Sequence, residues 1–312
     1  MSKPTLLMIV PTKWSDLWST KLGTGTIDIL LHGRDAYAPE DIDYVLGFRP
    51  PPGLIKTLPN LKAAFSLGAG VDGFLCDSEY PKQVPLVRFV DPTLSREMAQ
   101  YVLMQVLIQH RHQRLFDAAQ KSRSWRQMVL PRRTEDTRVG LLGLGEIGSF
   151  TALRLVELGF AVSGWSRTRK ALAGVKSFAG DGELNAFLGQ GDIVICMLAL
   201  TRKTQGILNA KTFAAMPAGA FVINVARGGH LIEGDLIAAL DSGHLCGAVL
   251  DVFDSEPLPQ ASPLWSHPKI TVTPHIAAIS QPAIAAQFVL DGIAKFERGE
   301  RVDNIVDVET AY

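Results

Sequence analysis

Short apolar runs rich in β-branched and aromatic residues alternate with helical patterns along almost the whole chain. Such alternation is typical of a parallel β-sheet that carries helices on both faces. The alternation stops in a polar segment over residues 121–138 and then starts again. We therefore predict an α/β protein with two doubly wound parallel-sheet domains.

The first hundred residues predict a small α/β domain. Pro- and Gly-bearing turns separate five apolar runs, which we predict to be strands over residues 6–10, 27–31, 45–48, 61–66 and 86–90. Residues 281–296 have the pattern of an amphipathic helix, which we expect to pack back on this domain. This predicted domain spans residues 1–98 and 282–312.

Residues 99–281 predict a second domain. Ser95 is a good helix N-cap and opens an apolar-periodic stretch towards Leu115, predicted as the helix that joins the domains. The polar segment after it is predicted to be a long excursion. Six more strands are then predicted over residues 139–143, 161–165, 192–198, 220–225, 247–253 and 270–273.

A glycine motif marks the turn after the first strand of this second domain. Gly143, Gly145 and Gly148 form G-x-G-x-x-G between an apolar run and a helical pattern, the context that makes this motif informative. The glycines permit a tight turn and close approach of a pyrophosphate, and the amides of Glu146 and Ile147 then meet the phosphates at a helix N-terminus. The alternative is a glycine-rich turn without a ligand.

The end of the next strand indicates which dinucleotide binds. NAD-preferring folds place Asp or Glu there for the ribose hydroxyls, whereas this strand is followed by Ser166, Arg167, Thr168, Arg169 and Lys170. Guanidinium groups and hydroxyls suit a 2′-phosphate, so the predicted cofactor is NADPH/NADP. The alternative is that these are ordinary surface charges.

Arg227, Glu256 and His275 each follow a later predicted strand, at the sheet edge where open α/β sheets bind ligands. A guanidinium suits a carboxylate, and histidine is the side chain that gives a proton near neutral pH. Each residue alone is more often structural. Together with the dinucleotide motif they indicate ketone reduction, in which Glu256 orients a protonated His275.

Six sequence motifs carry a resemblance to one enzyme family over nearly the whole chain. They are SLGAGVD at 66–72, GLGEIG at 143–148, WSRTRK at 165–170, NVARGG at 224–229, LDVFDSEPLP at 250–259 and TPHIAA at 273–278. The chain resembles the D-2-hydroxyacid dehydrogenase family, and most closely its glyoxylate/hydroxypyruvate reductase A branch. The resemblance implies NADPH-dependent reduction of short 2-oxoacids, such as glyoxylate and hydroxypyruvate, with His275 as the proton donor. It also implies that both domains are Rossmann-like, that residues 1–98 and 282–312 form a flavodoxin-like substrate-binding domain, that residues 99–281 form the dinucleotide-binding domain, and that the active-site cleft lies between them.

The resemblance also implies site residues beyond the catalytic set of Arg227, Glu256 and His275. They are Asp251 and the backbone near Ala277 for the nicotinamide amide, Leu200 and Ala226 for the wall of the cofactor cleft, and the backbone amides of Gly68, Ala69 and Gly70 for the substrate carboxylate. The last assignment fits the anion-binding nests that glycine-rich turns form.

The determinants of substrate choice are less clear in this chain. Phe48 and Arg49 lie where this branch often carries an aromatic residue and a histidine, so Arg49 either adds a second cation for the substrate or is solvent-exposed beside Pro50. Gln100 stands where an acidic residue is expected. Trp125 resembles an aromatic that approaches the site from a partner subunit, and core packing is the alternative. The physiological oxoacid stays open.

Charge and cysteine content limit the other partners. The 31 basic residues balance 31 acidic ones, so the chain lacks the basic field that nucleic acid binding requires. The three cysteines are far apart in sequence, which indicates a reducing compartment, and we expect a cytoplasmic protein without a metal. No uncharged apolar stretch approaches the roughly 18 residues of a membrane span. The long helix and the excursion after it favour a homodimer.

Three other functions were weighed against the sequence. A binding-only NADPH sensor does not need all three of the predicted catalytic residues. A short-chain reductase is excluded because no tyrosine has a lysine four residues later. A methyltransferase accounts for the glycine motif but not for the basic cluster or His275. Because cells usually keep NADPH reduced, we expect the enzyme to reduce oxoacids.

Overall fold

The computed structural model describes residues 3–308 except residues 24, 69 and 91. The chain divides into two compact units, here called the first unit (Met1–Asp91 with Ser280–Tyr312) and the second unit (Pro92–Ile279). The predicted boundary at residue 98 falls inside a helix that belongs wholly to the second unit. The boundary lies before this helix because the helix packs on elements of the second unit.

The strands of the described residues, in chain order, are β1 (Thr5–Ile9), β2 (Asp28–Leu31), β3 (Tyr44–Gly47), β4 (Ala63–Ser66), β5 (Leu86–Arg88), β6 (Arg138–Leu142), β7 (Ala161–Ser166), β8 (Val175–Ala179), β9 (Ile193–Cys196), β10 (Ala220–Asn224), β11 (Leu245–Leu250), β12 (Ile270–Val272) and β13 (Ile305–Val306). The α-helices of the same residues are α1 (Thr12–Leu22), α2 (Asp72–Leu75), α3 (Pro92–His110), α4 (Gln113–Lys121), α5 (Glu146–Glu157), α6 (Leu184–Leu188), α7 (Ala210–Ala215), α8 (Glu233–Asp241) and α9 (Pro282–Glu297).

The first unit contains a sheet of order β13-β5-β4-β3-β1-β2. All five strands predicted here are confirmed, with ends that shift by up to two residues. The sequence pattern missed β13, a two-residue edge strand that pairs antiparallel with β5, because two residues show no periodicity. The predicted helix near the end of the chain is α9, whose buried face, Ala285, Val289 and Ile293, joins the core of this unit as expected.

The second unit contains a parallel sheet of order β12-β11-β10-β9-β6-β7-β8. The six predicted strands are confirmed, and β8 was missed because its sequence VKSFA is short and only partly buried, with Lys176 and Ser177 interrupting the apolar residues. Alternate residues of β9 face two different cores, with Ile195 on one side and Cys196 on the other. Cys196 is fully buried, as predicted for a small core hydrophobe.

Two predictions about the joining helix are wrong. The helix α3 starts at Pro92, whose fixed φ suits a first turn, so Ser95 is a buried residue inside the helix and not its N-cap. The helix also does not continue to Leu115, because His112 adopts a left-handed φ of 55° and a separate helix, α4, begins at Gln113. The described residues include no helix long and apolar enough to cross a bilayer.

An ion-pair cluster joins the start of β6 to the start of β9. The partly buried carboxylate of Asp192 accepts hydrogen bonds from the Arg138 backbone at 3.0 Å and its guanidinium at 2.6 Å, and pairs with Arg132 at 2.5 Å. Burial alone raises the pKa of Asp192, but these donors outweigh it and lower the pKa from 3.8 to about 2. The ionised form of Asp192 therefore stabilises the folded state.

We predict that Asp192→Asn lowers the free energy of unfolding by about 2 kcal/mol at pH 7. A depressed folded-state pKa stabilises fully above the unfolded value, so the difference from the unsubstituted chain is expected to shrink as pH falls from 3.8 towards 2. Urea unfolding at several pH values measures this. Asp303→Asn, an exposed partner of Lys295, is the control with little effect, and an equal loss in both variants contradicts the prediction.

Candidate active site

The glycine turn joins β6 to α5, as the motif predicted. Gly143 follows β6 with a left-handed φ of 108°, and a Cβ on Gly148 would lie 2.0 Å from the Gly143 carbonyl oxygen, so the helix packs on the turn only with glycine there. Gly145 precedes the helix and differs, because a Cβ on it meets no described atom within 4 Å. Packing therefore does not require Gly145, and the space in front of Glu146 and Ile147 fits a pyrophosphate approaching a helix N-terminus.

The basic cluster lies on the turn after β7. The Ser166 hydroxyl is buried and donates to the Thr168 carbonyl at 2.7 Å, while Arg167, Thr168, Arg169 and Lys170 are exposed. The structure therefore keeps the five predicted residues on one turn, with their charges towards solvent.

Arg169 is held by a residue that the sequence did not single out. Its guanidinium contacts both Glu183 oxygens at 2.6 and 2.8 Å and donates to the Ser177 carbonyl. The Ala179 N–H and the Arg169 guanidinium lower the pKa of Glu183. Arg169 is therefore oriented along β8.

Arg227 follows β10, and a buried amide fixes its backbone. The Asn224 side chain accepts from the Ala226 N–H at 3.2 Å and donates to the Arg227 carbonyl at 3.0 Å. The Arg227 guanidinium is partly buried and donates to the Ala226 carbonyl at 2.7 Å. A Cβ on Gly228 would lie 1.8 Å from the carbonyl carbon of Phe253, so glycine lets the loop after β10 touch the loop after β11.

Glu256 and His275 form a direct pair. Glu256 Oε1 accepts the Phe253 N–H at 2.9 Å, and Oε2 contacts His275 Nδ1 at 2.7 Å. Burial raises the pKa of Glu256, but the hydrogen bonds from His275 and Phe253 and the charges of His275 and Arg227 outweigh it, so the pKa is lowered. Glu256 stays ionised as an acceptor of the Nδ1 proton, and the other ring nitrogen, Nε2, remains available for proton transfer.

His275 adopts a strained backbone that a buried carboxylate supports. Its φ is 55°, and its N–H donates to the Asp251 carbonyl at 2.8 Å. The Asp251 carboxylate, 1% exposed, accepts the N–H groups of Ile276 at 3.0 Å and Ala277 at 2.9 Å and the Thr273 hydroxyl at 2.6 Å. The Ala277 N–H is thus used within the protein, and the contacts of Asp251 and Ala277 with a nicotinamide stay predictions.

The other predicted wall and substrate residues have defined places. Ala226 is buried, and Leu200 is partly buried and would contact a Cβ on Gly229 at 3.1 Å. On the first unit, Phe48 and Arg49 are exposed just after β3, which both interpretations of Arg49 allow. Their roles stay predictions.

The turn predicted to bind the substrate carboxylate follows β4. The Ser66 hydroxyl donates to the Gly70 carbonyl at 2.8 Å and accepts the Gly68 N–H at 3.4 Å. Ala69 lies outside the described residues, so the predicted set of three amides is described only at its two ends.

The sequence analysis did not identify several residues that hydrogen-bond to residues of the candidate site or support them. Asn224 and Thr273 lie inside quoted motifs, where their polar side chains next to buried strands were the available signal. Glu183 and Tyr101 carry no such signal, because their contacts are with residues distant along the chain.

A match to a protein-family model identifies the family of this chain. The model described as "D-isomer specific 2-hydroxyacid dehydrogenase, NAD binding domain" matches residues 103–277. The chain belongs to the D-isomer specific 2-hydroxyacid dehydrogenase family. The family predicted from the motifs is therefore confirmed.

Solved structures of this family resemble the chain over its full length. A D-isomer specific 2-hydroxyacid dehydrogenase from Xanthobacter autotrophicus Py2, in complex with NADPH and MES, is 41% identical with a TM-score of 0.91, and 100% of each chain is covered. An NADPH-dependent glyoxylate/hydroxypyruvate reductase from Sinorhizobium meliloti, in complex with NADP and sulfate, is 36% identical with a TM-score of 0.90 and the same coverage. A probable 2-hydroxyacid dehydrogenase from Rhizobium etli CFN 42, in complex with NADP, HEPES and L(+)-tartaric acid, is 35% identical with a TM-score of 0.89, again with 100% of each chain covered.

The glycine turn gives a matched pair of substitutions. We predict that Gly145→Ala folds normally but weakens NADPH binding at least about tenfold, because the methyl group enters the space left for the phosphates. Gly148→Ala is expected to destabilise the unliganded protein, because its methyl group meets the Gly143 carbonyl. Thermal unfolding without cofactor and NADPH fluorescence titration separate the two effects. Unchanged NADPH affinity in a folded Gly145→Ala variant contradicts the assignment.

Proposed function

We propose that the chain is an NADPH-dependent reductase of short 2-oxoacids, with glyoxylate and hydroxypyruvate as the substrates and His275 as the proton donor. The observation that carries this proposal is the 2.7 Å pair between Glu256 and His275 Nδ1. Because the Glu256 carboxylate occupies Nδ1, the ring orientation is fixed and Nε2 is the nitrogen proposed to present the proton. Arg227 lies close enough for its charge to lower the pKa of Glu256.

The proposed reaction divides the work between the cofactor and these three side chains. When bound, NADPH supplies the hydride for the carbonyl carbon. His275 donates the Nε2 proton to the carbonyl oxygen as negative charge develops there, and Glu256 holds the ring orientation through its contact with Nδ1. Arg227, fixed by Asn224, binds the substrate oxygens with its guanidinium. The Gly68–Gly70 turn and Arg49 remain the predicted carboxylate contacts on the first unit.

The choice of NADPH is supported by the turn after β7. This strand is followed by Ser166 to Lys170 without a carboxylate at the position that binds ribose hydroxyls. The pairing of Arg169 with Glu183 holds one cation in place and reduces the entropy lost when a phosphate binds. The related structures from Xanthobacter autotrophicus and Sinorhizobium meliloti contain NADPH and NADP. We expect oxoacid reduction as the physiological direction.

A homodimer is part of the proposal. Residues 122–129, here called the exposed arm, are all exposed, and within the arm Trp125 is 94% and Val129 92% accessible. The alternative of core packing for Trp125 is therefore wrong within this chain. On α3, Met104 and Leu107 are also exposed. Such apolar groups indicate an interface, and a second copy of this chain is the proposed partner. A cytoplasmic location is proposed because the three cysteines are free.

We predict that the protein oxidises NADPH with glyoxylate and with hydroxypyruvate, at least about tenfold faster than NADH, which corresponds to about 1.4 kcal/mol. His275→Gln is expected to bind NADPH normally and to lower kcat by about 100-fold or more, because the proton donor is lost. Absorbance at 340 nm gives the rates, and fluorescence titration gives cofactor affinity.

The outcomes separate the parts of this proposal. Wild-type turnover in His275→Gln removes the proton-donor assignment. Equal rates with NADH remove the cofactor preference but leave the enzyme class intact. A lack of turnover with either oxoacid, although NADPH binds, contradicts the proposed substrates.

For the oligomeric state we predict that the protein sediments at twice the mass of one chain. Trp125→Asp combined with Val129→Asp is expected to produce monomers, because two charges replace the apolar groups of the exposed arm. Trp14→Asp, at another exposed tryptophan, is the control that leaves the dimer intact. Analytical ultracentrifugation measures all three, and a monomeric parent protein contradicts the proposal.

A further inference from the structure

Two hydroxyl groups, that of the buried Tyr101 and that of the partly buried Thr273, connect α3 to the turn that carries His275. The Tyr101 hydroxyl lies 2.5 Å from the Thr273 hydroxyl, and Thr273 donates to Asp251 Oδ1 at 2.6 Å. A threonine hydroxyl has a single hydrogen. Because Thr273 gives that hydrogen to Asp251, Tyr101 must be the donor to Thr273. The hydrogen bonds therefore run in one direction, from Tyr101 through Thr273 to the Asp251 carboxylate.

The Asp251 carboxylate also holds the turn that carries His275. Its oxygens accept the N–H groups of Ile276 and Ala277, and the Asp251 backbone carbonyl accepts the His275 N–H. Pro274, His275 and Ile276 are exposed, so packing contributes little to their placement. A left-handed φ at a non-glycine residue costs on the order of 1–3 kcal/mol and persists only where surrounding contacts enforce it.

We infer that Tyr101 and Thr273 are positioning residues for His275, acting through the buried carboxylate of Asp251. This inference rests on the proposed role of His275 as the proton donor. Thr273 aims the carboxylate at the two backbone N–H groups, and Tyr101 aims Thr273. Together they keep His275 in the left-handed conformation in which its Nδ1 meets Glu256.

The tyrosine is suited to this role because it remains a donor. Tyr101 lies on α3 and is buried in a core with residues of the second sheet, and burial raises the pKa of its phenol above the usual value of 10.0. The hydroxyl therefore keeps its proton at neutral pH, and the direction of the hydrogen bonds does not change.

The test uses Thr273→Val, Thr273→Ser, Tyr101→Phe and the double variant Thr273→Val/Tyr101→Phe. Thr273→Val is expected to lower kcat for oxoacid reduction about tenfold, since the turn that carries the proton donor is misplaced. Thr273→Ser restores kcat because the hydroxyl returns. Tyr101→Phe lowers kcat by a smaller factor and adds nothing further to Thr273→Val, because Tyr101 acts only through Thr273.

A control variant and a measurement that does not depend on turnover accompany these variants. Tyr80→Phe removes another buried tyrosine hydroxyl, bonded to the Val84 carbonyl in the first unit, and is expected to leave kcat unchanged. Hydrogen exchange of the peptide containing Ile276 and Ala277 reports on the turn without any turnover, and it is expected to be faster in Thr273→Val but not in Thr273→Ser.

The results distinguish this inference from the proposed function. If the parent protein lacks oxoacid reduction, the proposed function fails, and hydrogen exchange alone still tests the positioning. Unchanged exchange and unchanged kcat in Thr273→Val overturn the inference. So does full additivity of the two substitutions, which indicates independent effects on packing. If Thr273→Val fails to fold, Tyr101→Phe alone tests the inference. Wild-type hydrogen exchange together with wild-type kcat in Tyr101→Phe then overturns it.

Discussion

The parallel pairing of the second sheet is the constraint on which the candidate site depends. Because its seven described strands run in one direction, their carboxyl ends lie at one edge, and each connection after a strand starts there. The glycine turn follows β6, the basic cluster β7, Arg227 β10, Glu256 β11 and His275 β12. Residues up to 132 positions apart in sequence, from Gly143 to His275, thus lie at the same edge of one sheet.

Buried polar groups hold the loops at this edge of the sheet in defined conformations. Asn224 and Asp251 are almost completely buried, and each uses its side chain to bind the backbone of a loop that carries a catalytic candidate. A buried amide or carboxylate is stable only when its hydrogen bonds are made, so each loop conformation is tied to the satisfaction of a buried group. Arg227 and His275 are consequently held by their backbones, while their side chains stay partly accessible.

Charge is arranged differently at the two ends of the proposed cofactor region. Near His275, the carboxylate of Glu256, whose pKa is lowered, contacts the Nδ1 atom. On the turn after β7, Glu183 instead pairs with Arg169 and fixes its direction while other positive charges remain exposed. A carboxylate thus orients a neighbouring side chain in both places.

The sequence by itself determined the fold class, most of the strands and the family, and it singled out Arg227, Glu256 and His275 as the catalytic candidates. Periodicity and short motifs are local properties of the chain, so they can be read from the sequence. It missed β8 and β13, whose few residues become strands only when a neighbouring strand pairs with them. It also placed a helix start at Ser95, a residue that the tertiary structure buries inside α3. Only the tertiary structure decided that Glu183 holds Arg169 and that Tyr101 reaches Thr273, because these contacts join residues whose spacing in sequence carries no pattern.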